Sequence, residues 1–124
     1  MTKQNLGNVF NSLKFFGYAF RGIYQSLISE RNIRIHWIIA AVITILGVYK
    51  GLSITEWCLL FLFFALVIAT EMINTALENL VDIISPEYSL KAGKIKDISS
   101  GAVLVTAIFA IVAGCFIFIP KFFA

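Results

Sequence analysis

Glu71, Asn74, Glu78 and Asp82 are spaced by three, four and four residues. On a helix that spacing stacks them along one face, and at ~100° per residue they fall within roughly 80° of arc. Three carboxylates and one amide on one face are hard oxygen ligands, which suit a divalent cation such as Mg²⁺. The uncharged segment from Trp57 to Thr70 runs directly into them. A carboxylate stripe that continues a membrane-length apolar helix is expensive to hold unless something binds to it.

Other residues could join that chemistry. Glu30 sits in the compact charged junction Ser29-Glu30-Arg31-Asn32-Ile33-Arg34-Ile35-His36, at the depth expected for Glu71 to Glu78. Carboxylates from two helices could then share a Mg²⁺ that also bridges nucleotide phosphates. Asn74, one turn from both Glu71 and Glu78, can orient a carboxylate or a substrate hydroxyl. Glu71, deepest in the stripe, is the candidate general base for a lipid hydroxyl. Lys91, Lys94 and Lys96 supply positive charge for a polyphosphate, with Asp97 available for a sugar hydroxyl, an amine or a lysine.

Each has a plainer alternative. Glu30 could pair with Arg31 or Arg34, and the acidic stripe with the lysines. The lysines could serve as positive-inside anchors, His36 as an interfacial polar residue, and Tyr18 and Tyr88 as interface aromatics. No GxxxxGK[ST] element is present, which excludes a P-loop.

The elements that must position these groups are helices in a membrane. At 124 residues with 60% hydrophobic and 14% charged residues, the chain has more apolar surface than one soluble domain of this size can bury. A single domain over 1–124 is expected. The first stretch, 1–29, has helical apolar periodicity and reads as an amphipathic surface helix, with no cleavable leader evident. Spans follow at 33–50, 54–84 and 90–119, the last ending at Pro120-Lys121. Cys58 and Cys115 lie in apolar stretches and read as packing residues, and one His with two distant Cys builds no zinc site.

Lysine and arginine set the orientation. Lys3, Lys14, Arg21, Arg31 and Arg34 precede the first span and Lys91, Lys94 and Lys96 sit in the second loop, against Lys50 and Lys121 on the other side. The N-terminus, the junction and the acidic stripe are therefore expected on the cytoplasmic side, where ATP is, with the C-terminus outside. The net charge of +3 is too small and too scattered to argue for nucleic acid. A cation carrier or scaffold is the competing class, but the middle of the second span and all of the third are uncharged, leaving no polar path.

The string Glu71-Met-Ile-Asn74-Thr-Ala-Leu-Glu78-Asn-Leu-Val-Asp82, followed by Lys96-Asp97-Ile-Ser-Ser-Gly-Ala-Val, resembles the small bacterial membrane lipid kinases, the prokaryotic diacylglycerol and undecaprenol kinases. The resemblance extends over nearly the whole chain, including Gly17-Tyr18, Arg21-Gly22 and the Glu30 junction. It implies an all-α inner-membrane homotrimer with shared active sites, a lipid alcohol substrate, and ATP with Mg²⁺. By motif it implies Glu30 and Glu78 as metal ligands, Glu71 as base and Asn74 as support for these. It implies Tyr18, Glu30, Glu78, Asp82, Glu87, Tyr88, Lys96 and Asp97 around the nucleotide. Phe16, Arg21, His36 and Ser100 are expected beside the lipid. Where the diacylglycerol kinases of enteric bacteria have a Gln-Glu pair, this chain has Ile35-His36, and the junction looks more like the undecaprenol kinase branch. Undecaprenol is thus the expected acceptor and diacylglycerol the alternative.

Overall fold

The computed structural model describes residues 2–123. It is all helical: α1 (Lys3–Ser29), α2 (Arg31–Lys50), α3 (Ile54–Ile84) and α4 (Leu90–Phe122). The last three are long and apolar enough to cross a membrane. With 31 residues, α3 is about 46 Å long at 1.5 Å per residue, well beyond a ~30 Å hydrocarbon core. It is the central element, packing along α4 and against α2, with α1 touching α2 near their junction.

Local chemistry sets each boundary. Thr2 caps α1 by accepting from the Asn5 amide, and α1 ends because Glu30 is extended (φ −116°, ψ 113°). That single residue is the whole connection between α1 and α2. Arg34 reaches back across it, its guanidinium donating to the carbonyls of Leu27 (2.8 Å) and Ile28 (2.7 Å). These are carbonyls that a helix end leaves without partners, and a cation there also answers the helix dipole. Arg34 is thus occupied by α1, and among the described residues no ion pair joins Glu30 to Arg31 or Arg34. Ile33, fully buried, pins the same corner.

At the other end of α2, Gly51 takes a left-handed conformation (φ 73°), and its amide closes onto the Gly47 carbonyl. Gly47 is itself crowded: a Cβ there would lie 2.8 Å from Leu52 Cδ1 and 2.9 Å from Trp57 Cη2. A reciprocal capping box between Ser53 and Glu56 then starts α3. Glu56 also meets Lys121 at 3.1 Å, and the Lys50 ammonium sits 4.1 Å from the centre of the Phe122 ring. One end of the three long helices is tied together by these contacts. They need α4 to run past Pro120, and it does, to Phe122. A proline this close to a helix end forfeits one backbone bond, and the interruption has only two residues in which to propagate.

Between α3 and α4, the Thr70 and Thr106 hydroxyls hydrogen-bond at 3.1 Å, the one side-chain hydrogen bond joining two long apolar stretches among the described residues. The core of a single chain is thin. α1 buries no residue, and large apolar side chains along α2 and α4 remain exposed.

Replacing Gly51 with valine should cost ~1–2 kcal/mol, the penalty of a left-handed backbone for an L-residue with a Cβ, and lower the unfolding temperature in detergent. Gly51→Asn, which tolerates that conformation better, should lose less.

Candidate active site

The acidic stripe of α3 divides into unlike parts. Glu71 and Asn74 are the only polar or charged residues buried among those described, at 5% and 8% exposure. Both lie on the side of α3 covered by its neighbours, beside apolar core residues such as Val67 and Ile68. Asp82, two turns on from Asn74, is exposed and forms an ion pair with Lys96 of α4. Interhelical pairing with a lysine therefore accounts for Asp82. It does not account for Glu71, Asn74 or Glu78.

Glu71 faces α2. Its Oε2 lies 3.7 Å from Nε2 of His36, with side-chain exposures of 7% and 24% respectively. Asn74 donates from Nδ2 to Glu78 Oε1 at 3.4 Å, so its amide is turned with Oδ1 the other way. That oxygen is buried and has no hydrogen-bond partner among the described residues. A buried acceptor left unsatisfied costs ~1–3 kcal/mol, and such an atom is where a missing donor or cation is expected to bind.

The remaining residues singled out from the sequence are more open. Tyr18 is exposed, with the Arg21 guanidinium 5.6 Å from its ring centre. Phe16 is exposed on α1, and Ser100 and Asp97 are exposed on α4. Glu87 and Tyr88 lie in the α3–α4 connection, where the Ser85 hydroxyl donates to the Glu87 carbonyl and Tyr88 lies against Gly93. Glu30 is half-buried at the α1–α2 corner. Among the described residues no three His, Cys, Asp or Glu side chains converge as a metal cage.

The donor set still fits Mg²⁺, which commonly uses one or two carboxylates plus substrate phosphates and water rather than an all-protein cage. Glu78 and the orphan Oδ1 of Asn74 are oxygens of the right kind, four residues apart on one helix. Cys58 and Cys115 are free thiols.

An apolar groove of about 460 Å³ runs between α2, α3 and α4, lined by residues that include Ile39, Leu60, Val67, Ala110 and Gly114. His36 is at one end of it, the end nearer Glu71. The sequence does not reveal the His36–Glu71 contact. Its only trace is that His36 is the last ionisable residue before the uncharged part of α2. Nor does periodicity single out Thr70 and Thr106, two hydroxyls among many small residues.

The family model and the similar proteins point to one group. The family model for prokaryotic diacylglycerol kinase matches residues 17–118. Undecaprenol kinase of Bacillus subtilis is 38% identical over 108 residues, covering 87% of this chain and 88% of that protein. Diacylglycerol kinase of Synechocystis is 33% identical over 111 residues, covering 89% of this chain and 63% of the relative. Diacylglycerol kinase of Escherichia coli K12 is 29% identical over 103 residues, with 83% and 84% covered. With three span-length apolar helices and a match over most of its length, the chain belongs to the prokaryotic diacylglycerol kinase family and is a membrane lipid kinase.

Proposed function

We propose that this kinase transfers the γ-phosphoryl group of ATP to the hydroxyl of undecaprenol at the cytoplasmic face of the inner membrane. The observation that carries the reading is the buried Glu71–Asn74 pair on α3. A carboxylate and an unsatisfied amide oxygen held this deep in a spanning helix make sense as groups that act on a substrate. Support for the acceptor comes from the 38% identity to an undecaprenol kinase over 108 residues, against 29–35% for the diacylglycerol kinases. The apolar groove ending at His36 offers a long hydrocarbon chain a course beside the reacting hydroxyl.

In the proposed reaction Glu71 takes the proton of the lipid hydroxyl as its oxygen attacks the γ-phosphorus, and the bond to the β-phosphate bridging oxygen breaks to release ADP. Asn74 holds Glu78 through Nδ2 and presents Oδ1 to the site. Glu30 and Glu78 would hold Mg²⁺, which when bound neutralises charge on the phosphates. Lys96 leaves Asp82 for a phosphate oxygen, and Tyr18, Asp82, Glu87, Tyr88 and Asp97 surround the nucleotide. The lipid headgroup lies among Phe16, Arg21, His36 and Ser100. Phosphoryl transfer asks the protein mainly for positioning and charge stabilisation, and the chain has polar side chains for both.

The same reading places α1 on the membrane surface and assembles the kinase as a homotrimer, with the N-terminus and the α3–α4 connection cytoplasmic and the C-terminus outside. The exposed apolar residues of α1 and α4 support it, because one chain alone leaves them uncovered. So does the half-buried Glu30, which among the described residues belongs to no cluster of three His, Cys, Asp or Glu side chains and would meet the stripe of an adjacent subunit.

Three measurements test this reading. Glu71→Gln should lower kcat by ~10²–10⁴-fold, the usual contribution of a general base, with the unfolding temperature unchanged. Near-wild-type turnover would remove Glu71 as the base. Glu78→Ala should raise the Mg²⁺ concentration needed for half-maximal rate, and an unchanged titration would remove it as a ligand. Parallel assays with undecaprenol and diacylglycerol in the same detergent should give the higher kcat/KM for undecaprenol. The reverse order would assign the chain to diacylglycerol.

A further inference from the structure

We infer that His36 is the positioning residue of Glu71: its Nε2 holds the carboxylate so that one oxygen is aimed at the lipid hydroxyl. The inference rests on the reading of Glu71 as the base, and adds to it a donor on a different helix.

Three observations carry it. First, Glu71 is nearly buried, and His36 is the one basic side chain within 4.0 Å of its carboxylate among the described residues. A carboxylate in that setting is costly without a hydrogen-bond donor, and a donor that satisfies it also fixes its rotation. Second, the contact is between helices. His36 lies on α2 and Glu71 on α3, so the angle of the carboxylate is referred to two elements rather than to the flexible arm of one. Third, His36 also lines the apolar groove, where all the other lining residues are apolar or, in the case of Cys115, a thiol. The imidazole therefore stands between the groove that would take the lipid chain and the group that would deprotonate its hydroxyl.

The distance itself defines the role. At 3.7 Å the pair is outside hydrogen-bonding range, which for N–H···O is ~2.7–3.2 Å. Shortening by ~0.5–1 Å, the kind of tightening catalytic contacts undergo on substrate binding, closes it. With the proton on Nε2, the ring donates to Glu71 whether His36 is neutral or charged. One oxygen of Glu71 is then fully engaged and the other faces the incoming hydroxyl. His36 takes no proton in the reaction. It restricts where the base can point.

Loss of the donor should appear in kcat, because a misplacement of about 1 Å at a reacting group can cost on the order of 10²-fold. In the full-length protein in detergent with undecaprenol, His36→Leu should lower kcat on that scale and leave the KM for ATP unchanged. His36→Gln, which keeps an N–H at similar reach, should restore most of the loss. In a Glu71→Gln background His36→Leu should add no further loss, since residues that act as a unit are not additive.

His36→Leu with wild-type kcat, or Leu and Gln variants equally slow, would overturn the inference, the second outcome reducing His36 to packing. Should the Leu variant fail to fold, ring ¹⁵N NMR of the wild-type protein decides. His36 is the only histidine in the chain, so its signals need no assignment. The Nε2 resonance should move in Glu71→Gln, and an unmoved resonance would refute the contact. An active Glu71→Gln would sink the base reading and this inference with it. An inactive Glu71→Gln beside a fully active His36→Leu would sink the positioning role alone.

Discussion

Holding a carboxylate and an amide inside a bundle of apolar helices is the constraint around which this molecule is built. Glu71 and Asn74 sit on α3 at under a tenth of their full exposure, in surroundings where each polar group must find a partner or raise the free energy of the fold. The partners come from several places: His36 from α2, Glu78 from the next turn of α3, and for Asn74 Oδ1 none among the described residues. A site so arranged is incomplete by itself. In the proposed reaction, that open position is the one a substrate would fill.

The rest of the fold can be understood as keeping α2, α3 and α4 in register around that pair. At one end, Glu56–Lys121 and Lys50 over Phe122 hold all three helices together. Midway, Thr70 and Thr106 join α3 to α4 one residue before Glu71. At the other end the α1–α2 corner is made rigid by one extended residue, Glu30, with Arg34 closing the open carbonyls of α1. Beyond the buried pair, Asp82 and Lys96 form a second, exposed tie between α3 and α4. Exposed pairs of this kind contribute ~0–1 kcal/mol, so parting Lys96 from Asp82 costs the fold little.

The helical, membrane-spanning character of the chain was legible residue by residue. Uncharged runs such as Ile98 to Ile119 admit few readings other than a buried or spanning helix, and Ser85-Pro86 marks a break that α3 respects by ending at Ile84. The family was legible too, in the spacing of Glu71, Asn74, Glu78 and Asp82 followed by Lys96-Asp97. Less legible were contacts made by residues with several plausible duties. Arg34 could equally have paired with Glu30, and only the geometry of the corner sends it to Leu27 and Ile28 instead. Pro120 could have ended α4, and the helix runs on to Phe122.

Sequence alone determined which residues share a face, since helical periodicity is a property of the local chain: the acidic stripe, the apolar runs and the charged junction all follow from it. The division within the stripe was decided only by the tertiary structure. Glu71 and Asn74 are buried, Asp82 is outside, and His36 rather than a lysine meets Glu71. The reason is that burial and partner choice depend on the rotation of α3 against α2 and α4. That rotation is set by packing at residues such as Ile33, Leu60 and Val67, all distant in sequence from at least one of the groups they bring together.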